Sequence, residues 1–214
     1  ILHTTGWPLN KETYGGSFLY HFDKNLISIG FVIGLDYKNP YLSPYEEFQQ
    51  FKHHPEIKKY LDGGRRIGYG ARALNEGGYQ SLPKLSFPGG LFVGCEAGFL
   101  NVPKIKGTHL AMKSGMIAAQ SIFENIDTND QILEYENSIK KSWLWKELYK
   151  VRNIRPSFKW GFWKAILYSA IDTYIFRGNA PWTINHHGTD HESLGKKHDY
   201  KEIRYPKPDN VISF

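Results

Sequence analysis

The apolar residues in the first third of the chain fall into short runs separated by polar punctuation. Ser17–Phe22 and Leu26–Gly34 are rich in aromatic and β-branched residues, and Asp23-Lys24-Asn25 lies between them. This pattern predicts a β-hairpin, and the near-continuous apolarity of both runs predicts burial on both faces. Pro44–Leu61 predicts a helix with Tyr45, Phe48, Phe51 and Tyr60 near one stripe, ended or kinked at His54 by Pro55 and closed by Gly63-Gly64. A strand pair is predicted at Ile67–Leu74 and Leu91–Cys95, followed by a helix over Thr108–Asn125. A second helical block, Gln131–Val151, carries Leu133, Tyr135, Ile139, Trp143, Leu144, Leu148 and Val151 at three- and four-residue intervals, which predicts a core-facing stripe. Phe158–Phe176 is dense in aromatic and aliphatic residues but is interrupted by Lys159, Lys164 and Asp172. From Thr183 onward the chain is polar and rich in proline and glycine, which predicts an irregular return over the surface.

The stretch Val93–Gly115 carries the most specific local signal. A short apolar strand leads through a turn containing Gly94, Gly98 and Gly107 into a helix through Ala111, Gly115, Ala118 and Ala119. Residues without a Cβ let a backbone approach a bulky ligand closely, and the free N–H groups of the helix's first turn favour an electron-rich acceptor. Thr108 is placed to cap that helix. An ordinary strand–turn–helix connection with a threonine cap accounts for the same spacing.

Composition narrows the class. The 214 residues suffice for one or two domains with a real core, and 41% hydrophobic residues exclude a disordered chain. The formal charge of +6 suits an anionic membrane surface or an acidic partner. The basic residues are dispersed, with no run longer than Arg65-Arg66 or Lys196-Lys197, which argues against nucleic acid. A single cysteine, Cys95, excludes a disulfide scaffold and fits a reducing compartment. His53, His54, His186, His187 and His191, with Asp190, lack the spacing and cysteine support of a metal centre, so no metal is expected. Ser114 and Ser121 lie in a helix pattern without a partnered base, which argues against a hydrolase. Ile1–Leu9 reads neither as a secretory nor as a transit segment, and an internal or processed start is expected.

Five runs together carry a family resemblance: YGGSFLYHF (Tyr14–Phe22), GLDYKNPYLSPYEEFQQFKHHP (Gly34–Pro55), GARALNEGGYQSLPKLSFPGGLFVGC (Gly70–Cys95), NVPKIKGTH (Asn101–His109) and WLWKELYKVRNIRPS (Trp143–Ser157). With YPKPDNVISF at the end, the chain resembles the electron transfer flavoprotein–ubiquinone oxidoreductases along nearly its whole length. The resemblance implies a flavoprotein of the mitochondrial inner membrane, monotopic on the matrix face. Such proteins pass electrons from fatty-acid and amino-acid dehydrogenases, through electron transfer flavoprotein, to ubiquinone. Members begin with a G-x-G-x-x-G unit that receives the FAD pyrophosphate and end with a four-cysteine [4Fe–4S] domain. Neither motif occurs here. The chain is therefore expected to be an interior part that shares FAD with a missing N-terminal part or a companion chain, and to hold no cluster itself.

The fold so implied is α/β (α+β), part of a glutathione-reductase-like FAD domain joined to a mixed-sheet ubiquinone-binding domain. Residues 1–65 would be mainly ubiquinone-binding. Residues 66–126 would form the FAD portion, and residues 127–214 the helical block, a membrane-surface segment and the irregular tail. By resemblance, Asn75, Gly94, Cys95, Gly98, Gly107 and Thr108 face the flavin. Cys95 stands where related flavoproteins carry an aspartate, which leaves the turn's backbone N–H groups and Glu96 as substitutes. Asn75 and Thr108 are also accounted for by a loop turn and a helix cap. Tyr14, Gly15 and Gly16 would lie against the ubiquinone headgroup, although a glycine bulge accounts for the pair as well. Trp160, Phe162, Trp163, Ile166, Leu167 and Tyr168 would enter one leaflet of the membrane, because Lys159, Lys164 and Asp172 oppose a full crossing. A buried core helix is the competing reading of that segment. Two further classes are carried: a structural or assembly subunit of a respiratory membrane complex without redox activity, and another flavoprotein on the same fold.

Overall fold

The structure is a computed structural model that describes residues 1–127, 131–186 and 188–214, with the side chains of residues 131–133 excepted. It combines helices with small antiparallel sheets and forms two compact units, one of residues 1–70 with 187–214 and one of residues 71–186. Among the described residues every strand pairing is antiparallel, where a mixed sheet was expected.

The first unit is built on a three-stranded sheet in the order β1 (Leu2–Thr4), β2 (Gly15–Phe22), β3 (Leu26–Ile33). The predicted hairpin is present, and Asp23 and Asn25 turn it with positive φ, a conformation their short polar side chains tolerate. Its register pairs Gly15 with Ile33 and Phe22 with Leu26. The faces differ, contrary to the expectation of equal burial. Ser17 and Leu19 are buried on the side where Phe31 meets Phe51, whereas Phe18 and Tyr20 on the other side are half-buried. Phe18 lies over Gly30, its cross-strand partner, which fills the space a side chain would take.

The predicted helix breaks as Pro55 requires. α1 (Pro44–Phe51) is capped by Ser43, and α2 (Pro55–Lys58) restarts with His54 as its cap. Phe51 is buried, but Tyr45 and Tyr60 are exposed, so the apolar stripe holds only in part. The reason is the tail. Tyr205 donates to Glu47 at 2.8 Å, the Phe214 N–H donates to Gln49 at 3.0 Å, and His53 is 2.9 Å from the Ser213 hydroxyl. Residues 205–214 thus bury a polar face of α1 that local periodicity assigns to solvent. Burial pushes the Glu47 carboxyl up, against the lowering effect of the Tyr205 hydrogen bond.

The second unit departs from expectation at its start. The predicted strand at Ile67–Leu74 is absent: residues 64–75 run as exposed irregular backbone without a pairing partner among the described residues. The predicted Leu91–Cys95 strand is cut to β5 (Gly90–Leu91), paired with β4 (Ser86–Phe87), since the chain turns at Gly94 with φ +60°. α3 (Thr108–Glu124) then packs against α4 (Gln131–Lys141) and α5 (Trp143–Lys150). The single block predicted for residues 131–151 is two helices, broken at Ser142, whose hydroxyl donates to the Ile139 carbonyl at 2.7 Å. Of its stripe, Tyr135, Ile139, Leu144 and Leu148 join Leu85, Phe99 and Leu110 in the core, while Trp143 is exposed and the Leu133 side chain lies outside the described ones. α6 (Ile154–Ser157) leads to α7 (Phe162–Ala170), which continues as a π-helical turn over Ile171–Ile175.

Candidate functional site

Most of the residues expected around a flavin come together in the second unit. Gly94 begins a 3₁₀ turn over Gly94–Ala97, and Gly98 ends it with φ +81°. The Asn75 amide lies against Gly98, 3.2 Å from where a Cβ would stand, and accepts the Gly77 N–H at 3.2 Å. At Gly107 a Cβ would stand 3.8 Å from the Cys95 sulfur and 2.8 Å from Leu100. Two details differ from expectation. Gly107, not Thr108, is the cap residue of α3, with no side-chain cap, and Thr108 is the first helical residue. The Gly94 N–H is not free for a ligand, because it donates to Ser114 Oγ at 2.9 Å, which in turn donates to the Ala111 carbonyl. Ser114 therefore fastens the turn to α3, and its place among the small residues Ala111, Gly115 and Ala118 is the sequence signal for this. Glu96 is engaged by Arg72.

Glu147 braces the same region from α5. Its Oε1 accepts Asn101 Nδ2 at 2.7 Å, Lys104 Nζ at 3.0 Å and His109 Nε2 at 3.1 Å. These donors flank the segment that carries Gly107, and His109 also stacks on Trp143. Burial alone would raise the carboxyl, but the hydrogen bonds from Asn101, His109 and Lys104 outweigh it and hold Glu147 below its ordinary 4.5. The stability it contributes is present above that value and is lost as pH falls through the lower folded-state value. Replacing Glu147 by Gln is expected to cost about 1.5–3 kcal/mol, the scale of hydrogen bonds to a charged group. The acid limb of the stability profile should flatten in the same variant, and thermal unfolding across pH checks both.

In the first unit, Tyr14, Gly15 and Gly16 sit where β2 begins, half-buried, with the Tyr14 carbonyl accepting the Gly34 N–H at 2.8 Å. A Cβ at Gly15 would meet the Val32 carbonyl and Leu9, and one at Gly16 the Thr4 carbonyl. Both glycines are thus in regular paired strand rather than a bulge, and they permit close approach of three backbones.

The aromatic segment presents one apolar face. Trp163 is 80% exposed, Leu167 65% and Ile166 44%, with Trp160, Phe162, Tyr174 and Ile175 exposed beside them. Tyr168 is half-buried and accepts the Trp182 indole N–H at 2.8 Å. Asp172, an interruption in the sequence pattern, is only 1% exposed and turns inward. The core-helix reading holds for Ala165 and Asp172 alone. Among the described residues no helix is long and apolar enough to cross a membrane.

The histidines are dispersed in other roles. His186 lies 2.6 Å from the Gly77 carbonyl, His191 is beside Thr189 and His54 accepts the Glu56 N–H. His187 lies outside the described residues. Among the described residues no group of three or more His, Cys, Asp or Glu side chains could hold a metal ion.

Residues 1–74, the whole sheet with α1 and α2, match a family of quinone-binding domains described as "ETF-QO, ubiquinone-binding". Over 99% of its length the chain is 57% identical to the mitochondrial electron transfer flavoprotein-ubiquinone oxidoreductase of Sus scrofa and 56% identical to that of Homo sapiens. It is 53% identical over its full length to the Oryza sativa protein. The chain belongs to the electron transfer flavoprotein–ubiquinone oxidoreductase family, and it spans 36–37% of the length of these relatives.

Proposed function

We propose that this chain supplies the ubiquinone-binding unit and part of the flavin-holding unit of an electron transfer flavoprotein–ubiquinone oxidoreductase. In that reading, electrons from reduced electron transfer flavoprotein pass by way of FAD to ubiquinone at the matrix face of the mitochondrial inner membrane. The observation that carries it is the match of residues 1–74 to the ubiquinone-binding family, joined to a glycine turn and an uncapped helix in the second unit. Identity of 51–57% over the whole chain to proteins that all bear the oxidoreductase name favours the enzyme over a structural subunit.

The chain's own residues fit a flavin edge. The first N–H groups of α3 have no side-chain acceptor at the Gly107 cap, Thr108 is exposed there, and the Asn75 amide stands at the neighbouring turn. A helix N-terminus in this state favours an electron-rich oxygen. FAD, when bound, supplies the redox chemistry, while Gly98, Gly107 and the start of α3 set how closely the backbone approaches its ring. Cys95 is the only cysteine, so a four-cysteine cluster belongs to sequence outside this chain. In the first unit, the Tyr14 side chain at the start of β2 would supply the contact to ubiquinone, while Gly15 and Gly16 let the neighbouring strands and Leu9 close on the backbone beside it.

The glycines of β2 make poor test positions, because an added side chain there strikes the sheet itself. Replacing Tyr14 by Ala in the full-length protein is expected to lower ubiquinone reduction by about tenfold, the loss of roughly 1.4 kcal/mol of binding. Flavin reduction by the donor should be unchanged. Equal loss of both activities, or loss of neither, would reject the assignment of Tyr14. For the flavin, Gly107→Ala displaces only the tip of Leu100, so the fold should survive while flavin retention drops, as read by absorbance per polypeptide. Unchanged flavin content would count against the turn.

A further inference from the structure

A cationic cluster in the first unit has no part in the flavin or quinone reading. Lys52 follows α1 and is only 8% exposed. Among the described residues no carboxylate lies within ion-pair distance of Lys52, Arg65 or Arg66. The Lys52 ammonium sits over the rings of Phe48 and Phe214, at 5.3 and 5.2 Å. The Arg66 guanidinium stacks on the same Phe214 ring at 3.7 Å. Two cations therefore share one aromatic ring, an arrangement that places like charges together without neutralising either.

Asp209, the acid that bears on Lys52, is engaged elsewhere. Asp209 Oδ1 accepts the backbone N–H groups of Val211, Ile212 and Ser213, and its Oδ2 is 3.8 Å from His53. The strain shows at Lys52, whose ammonium loses its proton more readily than usual, first through burial and then through the charge of Arg66, with Asp209 opposing only in part. Beside the cluster a cleft of about 310 Å³ is lined by Gly64, Arg65, Arg66, Asn210, Val211 and Phe214. Stacking on Phe214 holds the guanidinium plane of Arg66 at the wall of that cleft, and no described side chain accepts from its N–H groups.

We infer that this cleft binds a phosphate-class anion, with Arg66 as the fork that grips two of its oxygens, Arg65 as a second contact and Lys52 as the buried charge behind them. The planar guanidinium matches two phosphate oxygens at once, which an ammonium cannot do. A bound dianion would compensate three cations that the fold leaves unpaired. The phosphate could belong to a small soluble molecule or to a lipid headgroup, and the same residues serve either.

Two measurements on the purified protein separate these sources. Inorganic phosphate, added at constant ionic strength, is expected to raise Tm by roughly 3–6 °C at ten times its Kd. Arg66→Gln should lose that rise, and Arg66→Lys should keep only a small part of it. Lys52→Met should weaken the response without lowering the basal Tm. Sedimentation with phosphatidylcholine vesicles, alone or mixed with phosphatidylglycerol, reads the second source. An increment for the anionic vesicles that vanishes in Arg66→Gln, with no response to inorganic phosphate, assigns the cleft to a headgroup. A phosphate response with sedimentation indifferent to Arg66 assigns it to a soluble phosphate. If Arg66→Gln and Arg65→Gln, each folded by circular dichroism, match the wild type in both measurements, the inference is overturned.

Discussion

Replacing Trp163, Ile166 and Leu167 together by aspartate is expected to release the protein from liposomes while leaving its second unit folded. The three side chains are 80%, 44% and 65% exposed, and they lie on the outward face of α7. Fully burying a large apolar side chain contributes about 1.5–3 kcal/mol. Even half that gain per residue, summed over three, corresponds to a loss of at least tenfold in membrane affinity, and aspartate adds repulsion from anionic headgroups. The fold should survive because the inward side of the segment is held by other residues: Ala165 is fully buried and Asp172 nearly so. Vesicle sedimentation and the circular dichroism spectrum check the two halves separately. Persistent binding by a folded triple variant would reject the interfacial role of this face.

Replacing Arg152 by Leu is expected to have the largest effect on stability, about 3–5 kcal/mol, the scale of breaking a buried charged network. All of the guanidinium N–H groups are used. Nε donates to the Thr183 hydroxyl at 3.0 Å, Nη1 to the Tyr149 and Gly178 carbonyls, and Nη2 to the Ala180 and Trp182 carbonyls. The side chain also stacks on Tyr149 at 3.7 Å. Leucine would leave the Gly178 and Ala180 carbonyls without a side-chain donor, whereas the Trp182 carbonyl keeps Asn153 Nδ2 and the Tyr149 carbonyl keeps the backbone N–H of residue 152, and a single lysine ammonium could not replace the whole fork. For a chain of this size the cost corresponds to a Tm lower by roughly 6–20 °C. Calorimetry checks the value, and a drop of only a degree or two would show that the carbonyls find water instead.

Asp172 behaves oppositely to Glu147. Burial raises its carboxyl above the ordinary 3.8, while Arg152 and the Asn153 hydrogen bond pull it down, and one of its oxygens has no partner. A raised folded-state value means that the stabilising contribution is complete below the ordinary value and is lost as pH rises through the raised one. Asp172→Asn should therefore gain stability relative to wild type as pH increases toward neutrality.

The chain's own pattern determined the hairpin, the break at Pro55, the long helix after Gly107, the glycine turn and the aromatic surface segment. Each rests on short-range physics: turn residues between apolar runs, a proline without an N–H, a 3.6-residue repeat, a Cβ that is missing. Family likeness added the redox reading, which no residue type here would reveal, because the chemistry belongs to cofactors. Only the tertiary structure decided which polar residues are buried. Glu47, Gln49 and Lys52 look solvent-facing until residues 205–214 fold over α1. Asp172 looks like a break in an apolar run until the π-helical turn that contains it points it inward, near Arg152, whose donors are all taken, mostly by carbonyls far along the chain. Glu147 meets three donors brought from some forty residues away. Strand pairing at Ile67–Leu74 failed for the same reason in reverse, since a strand needs a partner edge and none of the described residues supplies one. Local sequence fixes backbone preference and periodicity, but partners for buried charges come from residues far along the chain, and only the folded arrangement brings them within hydrogen-bond reach.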